Sequence, residues 1–186
     1  MKEVSIGIDI GGTNTAIGIV DRSGNCMVET SIPTGTHEDV LPYIQDLRNK
    51  IDEIKSNFNE LLNIKGIGIG APNANFHKGT IENAPNLKWK GVINFSELFK
   101  QFYDMPIILT NDANAAAMGE MMYGGAKGMK DFIVITLGTG LGSGVVSNGE
   151  LIYGHDGFAG EIGHTTAVPN GRMCGCGRRG CLETYV

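Results

Sequence analysis

The chain has 186 residues, 41% of them hydrophobic, which is enough apolar material for one sizeable domain, or for one domain and part of another, and excludes wholesale disorder. A formal net charge of −5 excludes the basic face on which non-specific DNA or RNA binding depends, but not the binding of a nucleotide, where backbone N–H groups do much of the work. No apolar run approaches the length of a membrane span, and Met1 leads straight into a strand pattern rather than a signal peptide, so no membrane or nucleic-acid partner is expected and the cytoplasm is the expected compartment.

The alternation over Val4–Ile10 predicts a strand, and Thr15–Val20 a second one. The residues between them hold two glycines, so the pair reads as a hairpin. A turn at 21–25 leads to a third strand, Cys26–Ile32. Val40, Ile44, Leu47, Ile51, Ile54, Phe58 and Leu61 then recur at spacings of three and four and predict one long amphipathic helix, with Pro42 tolerated in its first turn. Its stripe is core packing and carries no chemistry. Lys65–Gly70 and Pro106–Thr110 read as short buried strands. Asn111-Asp112 follows, then an alanine-rich helix from Ala113 to about Tyr123 and a glycine-rich connector over 124–128. Phe132–Leu137 and Gly144–Ser147 predict a second hairpin across Gly138-Thr139-Gly140-Leu141-Gly142. Strand, glycine turn with threonine, strand thus occurs twice, which reads as two copies of one α/β unit divided at 122/123, with a cleft between two lobes.

Five constellations bear chemistry. In Asp9-Ile10-Gly11-Gly12-Thr13 the glycines let the backbone approach an anion, and Asp9 suits a hard cation such as Mg²⁺; an ordinary hairpin turn would use the same residues. Gly138–Gly142 repeats that logic. Asn111-Asp112 stands at the carboxyl end of a strand, where α/β sheets bind ligands, and a carboxylate there can take the proton of an attacking hydroxyl; simple N-capping is the alternative. His164, Cys174, Cys176 and Cys181, in the pattern H-x₉-C-x-C-x₄-C, suit a closed structural Zn²⁺ site, against the alternative of unliganded core cysteines. Glu161 and Glu183 flank that cluster and could accept hydrogen bonds from sugar hydroxyls, or be solvated surface residues.

Together D-I-G-G-T at 9–13, N-D at 111–112, L-G-T-G-L-G-S-G at 137–144, E-I-G-H at 161–164 and C-G-C-G-R-R-G-C-L-E at 174–183 resemble the ROK family (repressors, open reading frames, kinases), and within it the bacterial glucokinases. The resemblance implies an α/β actin-like ATPase (ribonuclease H-like) fold, here a complete N-terminal lobe and the first part of a C-terminal one. It implies ATP-dependent phosphorylation of a hexose 6-hydroxyl, with glucose the first expectation and N-acetylmannosamine, fructose or allose the alternatives. Asp112 would be the general base, and Asn73, Asn111, Glu161, His164 and Glu183 would bind the sugar, with Asn83 and Asn86 nearby. His164 would also ligate Zn²⁺ with the three cysteines. ATP and Mg²⁺ would meet Asp9, Gly11, Gly12, Thr13 and Asn14 on one side and Gly138, Thr139 and Gly140 on the other. Family kinases continue well past the position of Val186 and form dimers, so this chain alone is expected to have little activity. The family's repressors carry a helix-turn-helix before the first glycine loop, whereas eight residues precede Asp9 here, so a sugar-sensing repressor or an inactive sugar-binding module is the weaker expectation.

Overall fold

The computed structural model describes residues 1–59, 61–138 and 140–186. They form two compact units, Met1–Asp112 and Ala113–Val186. The division falls at the start of the alanine-rich helix, whereas the sequence reading puts it at the far end of that helix.

The first unit is built on a five-stranded sheet. β1 (Lys2–Ile10), β2 (Asn14–Asp21) and β3 (Cys26–Pro33) run antiparallel, while β4 (Leu62–Ala71) pairs with β1 in parallel. Between them in sequence come α1 (Val40–Ser56), and after β4 the short strands β5 (Ala74–Asn75), β6 (Thr80–Glu82) and β7 (Val92–Ile93), then α2 (Phe95–Lys100) and β8 (Ile107–Asn111). The sheet order is β3-β2-β1-β4-β8, with β4 and β8 parallel. Val4, Ile6, Ile8 and Ile10 are all buried, so the period-two pattern of β1 sends one whole row into the core. Tyr43, Ile44, Leu47, Ile51 and Ile54 of α1 meet that row. Each such side chain stabilises the fold by about 1.5–3 kcal/mol through burial.

The predicted helix is too long. It stops at Ser56, Phe58 still packs on the core, and Leu61 is 77% exposed. The chain must leave the helix there because Leu62 already pairs with Lys2 at the start of β4. The three-stranded sheet β5-β6-β7 and α2 have no counterpart in the sequence reading; strands of two or three residues and a helix of six are too short to show a period.

The second unit contains α3 (Asp112–Tyr123, whose first residue closes the other unit), then β9 (Phe132–Leu137), β10 (Leu141–Ser147) and β11 (Glu150–Leu151) in the order β11-β10-β9. Two 3-10 turns follow, Ile162–His164 and Leu182–Tyr185. β10 begins three residues before the predicted strand, with Leu141 opposite Leu137. Gly142 is therefore a strand residue rather than a turn residue, and joins Gly144 in β10. A Cβ on Gly144 would stand 2.5 Å from the Cβ of Ala117 and 2.8 Å from the carbonyl oxygen of Ala113, so the glycines of β10 and the alanines of α3 are complementary surfaces. Among the described residues no helix is long and apolar enough to cross a membrane.

Candidate functional site

The first unit gathers its polar residues at the carboxyl ends of its parallel strands. Asp9 lies opposite Gly70 near the end of β1, and Asn111 lies opposite Ala71 at the end of β8. Asp112 follows as the first residue of α3, and Asn73 follows β4. Such an edge is where open α/β sheets receive ligands. The Asp9 side chain stays open to solvent, yet the protein around it partly desolvates the carboxyl and raises its pKa, and the charge of Asp112 adds to the rise. The charge of Asp112 thus opposes the ionisation of Asp9.

The turn after β1 is closed by the Gly11 N–H donating to the Asn14 carbonyl at 3.0 Å. Gly11 therefore spends its amide on the hairpin, and the Gly12 and Thr13 amides lie outside that closing bond. A Cβ on Gly12 would meet both the Cβ and the carbonyl oxygen of Asn86 at 3.1 Å, so the loop carrying Asn86 sits directly on the turn. Sequence reading saw Asn86 only through the family resemblance and not as a neighbour of the glycine turn. Asn73 and Asn83 both adopt left-handed backbone, with φ of 51° and 50°. The Asn73 side-chain amide donates to the Glu82 carbonyl at 3.1 Å, which fixes its plane against β6.

In the second unit, the Ile162–His164 turn and the loop over 174–181 bring one imidazole and three thiols together. The ligand atoms of His164, Cys174, Cys176 and Cys181 all lie within 4.8 Å of one another. Cys176 Sγ and Cys181 Sγ are 3.6 Å apart, as are Cys174 Sγ and His164 Nδ1. A tetrahedron with metal–sulfur bonds of about 2.3 Å has edges of about 3.8 Å, so the donor set fits a four-coordinate ion. The loop reaches this shape through a tight turn, with the Gly177 N–H bonded to the Cys174 carbonyl and left-handed φ at Gly177 and Gly180. The backbone N–H and the side chain of Arg178 hold the Cys176 thiol low, while the Glu183 carboxylate pushes the Cys174 thiol up.

Glu183 touches this cluster directly. Its Oε1 lies 2.8 Å from Cys174 Sγ and 3.4 Å from His164 Nδ1. Its Oε2 would meet a Cβ on Gly140 at 2.8 Å, so the glycine hairpin and the cysteine loop share one carboxylate. Glu161 opens the turn that carries His164, whose N–H donates to the Glu161 carbonyl at 3.1 Å. Gly138 is open on the side where a Cβ would stand, and Thr139 lies outside the described residues. The structure thus groups Asp9, the glycine turn, Asn73, Asn111 and Asp112 in one unit, and Gly140, Glu161, His164, Glu183 and the cysteines in the other.

The ROK family model matches residues 5–186. The glucokinase of Streptomyces coelicolor is 39% identical over 184 residues, which is 98% of this chain and 56% of that protein. The xylose repressor of Caldicellulosiruptor bescii is 35% identical over 183 residues, 97% of this chain and 46% of that protein. A solved ROK family glucokinase from Streptomyces griseus, in complex with glucose and AMPPNP, superimposes with a TM-score of 0.83 at 35% identity and covers 98% of this chain and 57% of that one. The chain spans about half the length of the curated relatives it matches. Its α/β architecture is the actin-like ATPase fold of these neighbours, and with the family match running along almost all of its length the chain belongs to the ROK family.

Proposed function

We propose that this chain carries the sugar-handling and part of the phosphate-handling machinery of an ATP-dependent hexose kinase, with glucose as the first substrate to test. The observation that carries the reading is the pair Asp9 and Asp112 at the carboxyl ends of parallel strands, beside a glycine turn. In this reading Asp112 accepts the proton of the hexose 6-hydroxyl as that oxygen attacks the γ-phosphorus of ATP, and ADP leaves with the bridging oxygen's electrons. Asn111 and Asn73 orient the sugar, together with Glu161, His164 and Glu183 from the second unit. The N–H groups of Gly12 and Thr13, with Asn14, and the second hairpin at Gly138, Thr139 and Gly140, would hold the phosphates; the Gly138 N–H itself donates to the Gly140 carbonyl at 3.0 Å.

The raised pKa of Asp9 fits a place for Mg²⁺, since a divalent cation offsets the repulsion between two carboxylates and neutralises charge on the transferring phosphoryl group. The thiol-rich donor set and its spacing favour Zn²⁺ at His164, Cys174, Cys176 and Cys181. Four protein ligands would leave no open position, so such an ion would shape the loop that presents His164 and Glu183. Ligation through Nδ1, the nitrogen 3.6 Å from Cys174 Sγ, would leave Nε2 of the same ring for a sugar hydroxyl. The protein is read as cytoplasmic and, at the length of its relatives, as a dimer.

Release of ADP is the decisive measurement, made on this chain and on a chain extended to the length of its relatives, with glucose, N-acetylmannosamine, fructose and allose. The extended chain is expected to turn over at least one of them and this chain to give little. Normal turnover by Asp112→Ala would refute the assignment of the base. The similarity to a xylose repressor supports a second reading, sugar sensing without turnover, which sugar binding with no ADP release from the extended chain would favour.

A further inference from the structure

Beneath the glycine turn of the first unit lie three hydroxyls that the reaction does not use. Thr15 Oγ1 is 2.8 Å from Thr34 Oγ1 and 2.7 Å from the Tyr43 hydroxyl, and all three residues are at most 2% exposed. They come from three different elements. Thr15 is the second residue of β2, one step past the turn; Thr34 directly follows β3; Tyr43 lies in the first turn of α1. Thr34 also donates its backbone N–H to the carbonyl of Thr13, inside the turn, at 2.9 Å.

Valine or phenylalanine would fill this space without having to satisfy a buried polar group. A connected set of hydroxyls instead fixes directions, because each oxygen must face its partner or lose about 1–3 kcal/mol. Tyr43 is itself clamped. Its ring lies 4.8 Å from that of Trp89 and 6.4 Å from that of Phe95, both buried. Trp89 belongs to a loop closed at its ends by the Asn83 N–H on the Gly91 carbonyl at 2.8 Å, and the same loop sets Asn86 against Gly12. The turn is therefore gripped from below through Tyr43 and from the side through Asn86, and both grips meet where Tyr43 packs on Trp89.

We propose that Tyr43 is a positioning residue for the Gly11–Asn14 turn, its hydroxyl holding the turn through Thr15 and Thr34 in the shape that presents its amides to a phosphate. The phosphate as ligand rests on the kinase reading; the grip on the turn does not.

The test uses this chain labelled with ¹⁵N. Hydrogen exchange is followed at the Gly11 and Thr34 amides, whose bonds close and tether the turn, and at amides of β4 and β8, with urea unfolding as the global reference. Tyr43→Phe and Thr34→Val are expected to speed exchange at Gly11 and Thr34 about tenfold beyond any change the unfolding curve accounts for, the effect of one lost buried hydrogen bond. Thr34→Ser, which keeps the hydroxyl, is expected to exchange like the parent chain. Unchanged exchange at both amides in Tyr43→Phe would overturn the proposal. So would equal acceleration at every amide of the unit, which is the signature of a purely structural residue. Titration with MgATP of the chain extended to the length of its relatives separates the two ideas: a turn loosened by Tyr43→Phe but unperturbed by MgATP in the extended parent would uphold the positioning role and overturn the phosphate reading.

Discussion

Asp9, the residue proposed to face Mg²⁺, carries a cost in stability. Burial and the neighbouring charge raise the pKa of Asp9, so folding disfavours its ionised form and the unfolded chain gains as pH rises through the carboxylate range. Asp9→Asn is therefore expected to raise the urea midpoint at pH 7, with the gain shrinking towards pH 3, where the carboxyl is protonated in both states; a lower midpoint at pH 7 would contradict the assignment. The same variant should weaken Mg²⁺-dependent nucleotide binding. On the kinase reading Asp112→Asn would remove the proposed proton acceptor while keeping the shape, and is expected to lower turnover of the extended chain by about 10²-fold or more while sugar affinity, read by calorimetry, changes little. Gly12→Ala puts a methyl into Asn86, and overpacking of this kind costs about 1–3 kcal/mol, measurable as a lower urea midpoint.

At the scale of elements, the cysteine loop and the α3–β10 contact are the informative cases. The loop has few buried apolar side chains of its own, Cys174 and Cys181 being the buried ones, so on the proposed zinc reading an ion would take the place of a hydrophobic core there. A zinc-selective chelator, or Cys181→Ser, is expected to collapse the dispersed NMR signals of residues 162–185, and elemental analysis should find one zinc per chain beforehand; retained dispersion in the chelated chain would remove the structural role of the ion. In α3 the alanines are helix formers, but their size also answers to Gly142 and Gly144. The alanine-rich helix was legible in the sequence. Its partner was not, because glycines in a Gly-rich run look like turn residues until the register of β10 is known.

The two units of the molecule rest on unequal cores. The large buried cluster, from Val4 to Leu109, belongs wholly to Met1–Asp112, whereas the buried hydrophobics of Ala113–Val186 are few and mostly small. Ile133, Ile135 and Leu137, alternate residues of β9, are each more than half exposed. Metal removal is accordingly expected to unfold the second unit and leave amide protection in β1 and β4 of the first unit intact. At the pH extremes the first unit should fail on its own chemistry. Burial raises the pKa of Tyr43 and pushes Tyr103 up to about 12, so stability is expected to fall as pH rises above about 10, where the unfolded tyrosines ionise first. Asp21 is depressed by hydrogen bonds from its turn, so its contribution is complete above the ordinary carboxylate range and is lost as pH falls through its lower folded value; Asp131 in the second unit follows the same rule.

The sequence by itself determined the strands with clear period two, the stripe of α1, the glycine turn beside Asp9, the Asn111-Asp112 step and the metal-ligand spacing, because each is a local pattern whose physics acts within a few residues. Only the tertiary structure decided where α1 must stop for β4 to pair, that Gly142 belongs to β10 and packs with Gly144 against α3, that Glu183 reaches both the cysteine loop and Gly140, and that Thr15, Thr34 and Tyr43 meet under the turn. These are contacts between residues far apart in the chain, fixed by strand register and side-chain packing, and no local periodicity encodes them.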